Sequence, residues 1–301
     1  MNQRNMAEIF AQMGGCTVLE QEPMRKHTTF RIGGPAQFFV KAETVQALSA
    51  VRKYCAREGI PCMVVGRGSN LLVSDTGIRG VVIQLCGEME TIRREKNDIV
   101  CGAGVSLAAL AKFALEEGLT GAEFLWGIPG AVGGAVYMNA GAYGGEIGQI
   151  LVSADHVEPD GTIKTLTGEE IGFGYRKTIY HESDAVITSV RLRLTPGEKS
   201  AILATMEELM GRRKDKQPLE YPSAGSVFKR PEGHFAGALI EQCHLKGFTI
   251  GGAQVSEKHA GFIINIGNAT CADVEALIAQ IQKVVLENTG VALECEIKTV
   301  E

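Results

Sequence analysis

The chain has no surplus of positive charge. Its 30 lysines and arginines stand against 35 aspartates and glutamates, a net charge of −5, so neither nucleic acid nor an anionic membrane surface is an expected partner. None of its eight cysteines (16, 55, 62, 86, 101, 243, 271 and 295) forms a C-x-x-C pair, and most sit in apolar surroundings. They read as reduced, buried thiols of a cytoplasmic protein. The six histidines show no ligand spacing: His181, His234 and His244 are scattered, His259 reads as structural, and no metal site is expected. Met1 to Phe10 lacks the basic-then-apolar pattern of a signal peptide, and no uninterrupted apolar run is long enough to span a bilayer. There is no Walker sequence, no His-Glu-x-x-His and no nucleophile-elbow serine. Internal repeats and low-complexity segments are absent as well.

What the chain has in quantity is glycine, 37 of 301 residues. The run Trp126-Gly127-Ile128-Pro129-Gly130-Ala131-Val132-Gly133-Gly134 concentrates it. Pro129, with a fixed φ and no N–H, suits the first turn of a helix. The glycines after it weaken that helix but leave bare backbone, whose free N–H groups carry partial positive charge and suit a phosphate. Glycine serves tight helix–strand packing equally well, and this run alone does not choose. A second cluster, Gly66-Arg67-Gly68-Ser69-Asn70, lies between Met63-Val64-Val65 and Leu71-Leu72-Val73. In that strand–loop–strand pattern, successive N–H groups can nest an anion. It is not a dinucleotide fingerprint, because the third glycine and the following helix are missing. Gly102-Ala103-Gly104 leads into a helix but lacks the same glycine.

The length allows two or three compact units. Met6, Ile9, Phe10 and Met13 fall at helical spacing before Gly14. Residues 36–40 read as a strand, and Thr44 caps a helix through Glu58 that Gly59 stops. Hairpins are expected around Asn97-Asp98 and Pro159-Asp160-Gly161, and helices after the cap residues Ser106, Thr167 and Thr270. Residues 195–199 read as a linker. Helices to about Lys214, over 235–244 and over 271–288, with strands at 248–250, 253–255, 262–265 and 291–300, complete the C-terminal part. In the last strand, period two puts Leu293, Cys295 and Ile297 on one face and Glu294 and Glu296 on the other. By itself that is the solvated face of an edge strand. Ser226, in a glycine-containing loop with no histidine beside it in sequence, is by itself a turn residue. Arg176 by itself is a surface charge.

Three motifs change these readings. Thr28-Thr29-Phe30-Arg31-Ile32-Gly33-Gly34-Pro35-Ala36, Gly68-Ser69-Asn70-Leu71-Leu72 and Gly127-Ile128-Pro129-Gly130 occur in that order. They resemble the flavin-binding half of the UDP-N-acetylenolpyruvoylglucosamine reductase family, and the resemblance continues to the C-terminus. It implies an α+β fold, with a two-part FAD-binding region of the vanillyl-alcohol-oxidase/PCMH type (1–88 and 89–197) and a C-terminal α+β substrate domain (198–301). It implies FAD held at Gly66, Arg67, Gly68, Ser69, Asn70, Leu71, Ile128, Pro129, Gly130 and Gly133. NADPH is the implied co-substrate, and UDP-N-acetylglucosamine enolpyruvate is the implied substrate, reduced to UDP-N-acetylmuramate for peptidoglycan precursors.

The resemblance also implies three catalytic residues. Ser226, in Ala224-Gly225-Ser226-Val227-Phe228-Lys229, matches the serine that gives a proton to carbon. Glu296, in Leu293-Glu294-Cys295-Glu296-Ile297, matches a glutamate that stabilises a developing enolate. Arg176, after Tyr175, matches a stabiliser of the substrate carboxylate, for which its planar fork is suited. Tyr175, Lys216 and Arg230 are implied substrate contacts; the family position of Arg230 varies in residue type. The short region after Tyr180 resembles the shorter family subtype, which lacks a tyrosine-bearing insert. Oligomeric state is not specified, and a monomer fits. Two rivals stay open at this point: another FAD enzyme of the same fold, such as an alcohol oxidase, and a non-catalytic nucleotide-binding module.

Overall fold

In a computed structural model the chain is described from Gln3 to Glu301. It divides into two compact units, neither continuous in sequence. The first takes the residues up to Gln21 with Gln37–Arg67 and Gly80–Gly211; the second takes Glu22–Ala36, Gly68–Arg79 and Arg212–Glu301. Residues 22–36 and 68–79 therefore pack with the C-terminal part, not with their sequence neighbours.

Among the described residues the first unit holds two larger sheets. In one, the strands run Cys16–Pro23, Pro35–Ala42, Ile78–Leu85, Cys62–Val65, and the last two are parallel, with Cys62 opposite Val81. The helix Val45–Glu58 connects Pro35–Ala42 to Cys62–Val65. The Thr44 hydroxyl starts it by accepting the Ala47 N–H (3.1 Å), and Gly59 ends it in the left-handed region. Leu48, Val51 and Cys55 are buried on its inward face, as their spacing requires. The other sheet is antiparallel, in the order Ile163–Thr167, Leu151–Val157, Val186–Arg193, Asp98–Gly102, Ile92–Glu95. Both expected hairpins lie in it. One turns at Lys96-Asn97, between the paired Glu95 and Asp98, and the other turns through Gly161 at φ +85. Ser106 caps the helix Leu107–Glu116. One apolar core runs through these elements, including Phe38, Ile83, Ile99, Leu110 and Val190. Part of the expected linker is structured: Thr195–Pro196 pairs with Leu119–Thr120.

The second unit has an antiparallel sheet in the order Ser223–Ser226, Phe262–Asn265, Ala253–Val255, Thr249–Ile250. The helix Cys271–Thr289 buries Val274, Leu277, Ile278, Ile281 and Val285 in the same core as Phe30, Ile32 and Leu72. Its first turn is satisfied twice. Thr270 and Asp273 form a capping box, and the Asp75 carboxylate accepts the N–H groups of Cys271 (2.9 Å) and Ala272 (3.1 Å).

The strand expected over 291–300 is shorter. Only Lys298–Val300 forms a ladder, parallel to Leu71–Val73. Upstream the chain bonds to a different partner: Lys229 N–H to the Glu294 carbonyl (2.8 Å) and Glu296 N–H to the Val227 carbonyl (2.7 Å). Changing partners breaks the ladder, although Leu293 and Ile297 are still buried and Glu294 exposed, as period two requires.

Asp75→Ala removes two acceptors from a helix start while leaving the capping box, and should cost about 1–2 kcal/mol of stability. Asp75→Asn, which keeps one acceptor oxygen, should cost less. Urea unfolding measures both; wild-type stability in Asp75→Ala would refute the cap.

Candidate active site

The two glycine clusters meet in the first unit, where a Cβ on Gly66 would lie 3.1 Å from that of Ala131. The helix after the main run starts later than Pro129 suggests. It spans Val132–Tyr137 with Ala131 as N-cap, so Pro129 lies outside it. The cause is docking on residues 103–107. Leu107 N–H bonds to the Gly130 carbonyl (3.0 Å), Val132 N–H to that of Val105 (2.9 Å) and Gly133 N–H to that of Ala103 (2.8 Å). A Cβ on Gly133 would also sit 2.9 Å from that of Ala103. Gly133 therefore serves close packing, and its N–H is used inside the fold. Gly134, beside it, is exposed, and a Cβ there would meet nothing within 4 Å. Gly66, Arg67 and Pro129 are exposed as well, with Ile128 and Gly130 half-buried.

From Gly68 onward the second cluster belongs to the second unit. Gly68 is buried at φ +61, and a Cβ would run into the His27 carbonyl oxygen at 2.1 Å, so only glycine fits. Ser69 is half-buried. The Asn70 amide donates to the Glu296 carbonyl (3.2 Å), the Asn70 carbonyl accepts the Lys298 N–H (2.9 Å), and Leu71 opens the parallel ladder. Thr29 ties the same loop to the Ser226 strand: its N–H donates to Gly68 O (3.3 Å) and its hydroxyl to Ser223 O (2.7 Å). The motif at 28–36, which suggested the flavin half, thus packs within the second unit. The Glu296 N–H bonds to the carbonyl of Val227, the residue after Ser226. Main-chain bonds therefore bring the 68–71 loop, Ser226 and Glu296 together, with Ser226 exposed and Glu296 half-buried. In the same unit, Lys216 is exposed in the last turn of the helix Lys199–Lys216, and the Arg230 guanidinium lies 4.0 Å from the centre of the Phe235 ring.

His259 supports this region from behind. The Val227 N–H donates to Gly261 O (2.9 Å), and the Gly261 N–H donates to His259 Nδ1 (3.1 Å). Burial lowers the pKa of this imidazole, because desolvation disfavours its charged form.

Arg176 and Tyr175 belong to the first unit. Gly174 and Lys177 bond to each other in both directions (2.9 and 3.3 Å), which leaves Tyr175 and Arg176 at the corner of a tight turn. Arg176 takes φ +54, its guanidinium lies 5.2 Å from the Tyr175 ring centre, and Nη1 donates to the Asn139 carbonyl (3.4 Å). Asn139 belongs to no motif in the sequence. The available signal was an amide between an apolar helix and a glycine-rich turn, where a positive φ favours asparagine. Among the described residues, no group of three or more His, Cys, Asp or Glu could hold a metal ion, and no helix is long and apolar enough to cross a membrane.

Residues 36–167 match the model of an FAD binding domain, and residues 217–300 match that of the UDP-N-acetylenolpyruvoylglucosamine reductase C-terminal domain. The chain is 48% identical to the UDP-N-acetylenolpyruvoylglucosamine reductase of Agathobacter rectalis, over 100% of this chain and 99% of that protein. The chain belongs to the UDP-N-acetylenolpyruvoylglucosamine reductase family. Another member, from Geobacillus kaustophilus, is 47% identical over 95% of this chain and 94% of its own. A crystal structure of the reductase from Thermus caldophilus matches with a TM-score of 0.82 at 37% identity, over 95% of this chain and 99% of that one. The family's α+β fold, an FAD-binding region with a C-terminal domain, is thus the fold expected from the motifs. The FAD-binding match contains both glycine clusters and Asn139, the C-terminal match contains Ser226 and Glu296, and Arg176 falls between them.

The His259 bond gives stability a pH dependence of known sign. Its folded pKa lies below the unfolded value of about 6.5, so its contribution is complete above that pH and is lost as pH falls through the lowered value. His259→Asn retains an acceptor for Gly261 but does not titrate, and should lose less stability on acidification. Urea midpoints at about pH 7.5 and 5.5 test this; the same drop in both proteins would exclude His259 as its source.

Proposed function

We propose that this chain is an NADPH-dependent flavoenzyme of the cytoplasm that reduces the enolpyruvyl group of UDP-N-acetylglucosamine enolpyruvate to UDP-N-acetylmuramate, for peptidoglycan. The carrying observation is the junction at Glu296. Its N–H bonds to the carbonyl of Val227, the residue after Ser226 (2.7 Å), and its own carbonyl accepts the Asn70 amide at the end of a glycine loop (3.2 Å), which supports a shared role for Glu296 and Ser226. The name shared by the relatives supports the substrate.

The first unit suits a dinucleotide diphosphate. Gly66 and Gly134 are exposed, with open space in front of Gly134, exposed Arg67 adds a cation, and the two loops adjoin. In this reading FAD is held by Gly66, Arg67, Ser69, Asn70, Leu71, Ile128, Pro129, Gly130 and Gly134, while Gly68 and Gly133 shape the loops from within. Bound FAD supplies the two-electron transfer from NADPH to the alkene. The fork of Arg176 grips the substrate carboxylate and, with Glu296, stabilises the negative charge that develops on it and on the α carbon. Ser226 gives its proton to that carbon. A serine hydroxyl is a weak acid, so the step needs a strongly basic carbon and a donor held in place away from water. Lys216 and Arg230 offset the charge of the nucleotide diphosphate, and Tyr175 lines the site beside Arg176. In this reading 1–88 and 89–197 serve FAD and 198–301 serves substrate, while 22–36 and 68–79 pack with 212–301.

The purified protein should be yellow, bleach with NADPH and regain colour with the enolpyruvyl nucleotide; a colourless protein that takes up no FAD overturns the reading. Ser226→Ala should leave bleaching intact and slow the return of colour by orders of magnitude, whereas equal slowing of both counts against the proton-donor role. Gly134→Ala should raise stability by up to about 1 kcal/mol through helix propensity, yet weaken FAD retention. Unchanged flavin content after dilution would remove Gly134 from the cradle.

A further inference from the structure

We propose that Asn139 is a positioning residue for Arg176, presetting its guanidinium for a carboxylate ligand before that ligand arrives. The proposal rests on the reading of Arg176 given above.

Asn139 follows the helix Val132–Tyr137 and is 2% exposed. A buried amide must find partners for its oxygen and for both N–H groups. Asn139 finds them in three separate places. Its Nδ2 donates to Glu146 Oε2 (3.0 Å) and to the Gly174 carbonyl (3.0 Å), and its Oδ1 accepts the Gly148 N–H (3.1 Å). Gly174 is the first residue of the turn whose corner is Arg176. The main-chain carbonyl of Asn139 accepts Arg176 Nη1 (3.4 Å). One residue thus holds both the base of the turn and the group that the turn displays. Its own backbone is left-handed, at φ +43, a conformation asparagine tolerates better than most residues. The far side of the turn is secured nearby: the buried Thr178 hydroxyl donates to the Tyr137 carbonyl (2.9 Å).

The consequence is entropic and geometric. A long side chain loses rotamer freedom when it grips a ligand, and one that is already oriented loses less. A fork displaced by an ångström also meets the carboxylate off line, which degrades a bidentate contact. Neither effect requires Asn139 to touch the ligand.

Asn139→Asp keeps the size and the backbone tolerance but removes both donors and sets a second carboxylate against Glu146. In the flavin-loaded full chain, flavin content and bleaching by NADPH should hold. Return of colour with the enolpyruvyl nucleotide should slow about 100-fold, the scale of an ångström's misplacement. Affinity for that nucleotide, measured by calorimetry on the oxidised protein, should fall about tenfold, while affinity for UDP-N-acetylglucosamine, which lacks the carboxylate, stays unchanged. In an Arg176→Ala background the substitution should add nothing, because it acts only through Arg176. Should Asn139→Asp fail to fold, Asn139→Gly keeps the left-handed backbone and the carbonyl, introduces no charge, and carries the same comparison. Fully additive losses in that background, or losses that extend to UDP-N-acetylglucosamine, overturn the proposal. An effect of Arg176→Ala with none from either Asn139 variant overturns positioning alone. No effect of Arg176→Ala sinks the reading of Arg176, and positioning with it.

Discussion

The candidate site in the second unit depends on a short parallel ladder, Leu71–Val73 against Lys298–Val300. Parallel strands cannot be joined by a tight turn, so their partners must come from distant parts of the chain. Closing so long a loop costs chain entropy once, and many contacts then share it. The Asn70 amide on Glu296 extends that pairing, and the Glu296 N–H on Val227 and the Thr29 hydroxyl on Ser223 tie further segments to it. Behind them the Asn265 amide holds the Phe30 carbonyl (3.1 Å) in the buried core. The site is thus held by short side chains on main-chain carbonyls together with main-chain bonds, which fix positions more tightly than pairs of long side chains do.

The glycines show how one residue type does two jobs in adjacent positions. Gly68 and Gly133 lack side chains because other groups occupy the space, the His27 carbonyl and the Ala103 side chain respectively. Gly66 and Gly134 are exposed, and in front of Gly134 the space is empty. Close packing by the first pair keeps the loops rigid, and that rigidity lets the second pair present main chain at a constant place. The choice between packing and ligand approach, even for the run as a whole, resolves residue by residue.

Arg176 and Asn139 are a second case of support from behind. The arginine sits at a left-handed corner, and the buried amide that fixes the corner is also left-handed. Two unfavourable backbone conformations persist side by side because a complete set of hydrogen bonds over-determines them.

Much of this was legible in the residues themselves wherever the governing interaction is local. Thr44, Ser106, Thr167 and Thr270 cap helices as read, because a cap bond spans only a few residues. The hairpins form for the same reason, and Leu293 and Ile297 are buried because strand periodicity is intrinsic to the backbone. The motifs carried the family. Long-range pairing was not legible: that Pro129 falls outside its helix, that 291–297 bonds to 227–229 before reaching a ladder, and that 28–36 and 68–79 join the C-terminal part. The role of Asn139 was not legible for a related reason, since it lies in partners at Glu146, Gly148 and Gly174 that no spacing rule connects. By itself the sequence determined the elements, their caps and the family; tertiary structure alone decided which backbone stays bare and which asparagine carbonyl meets the arginine, because those follow from contacts between segments far apart along the chain.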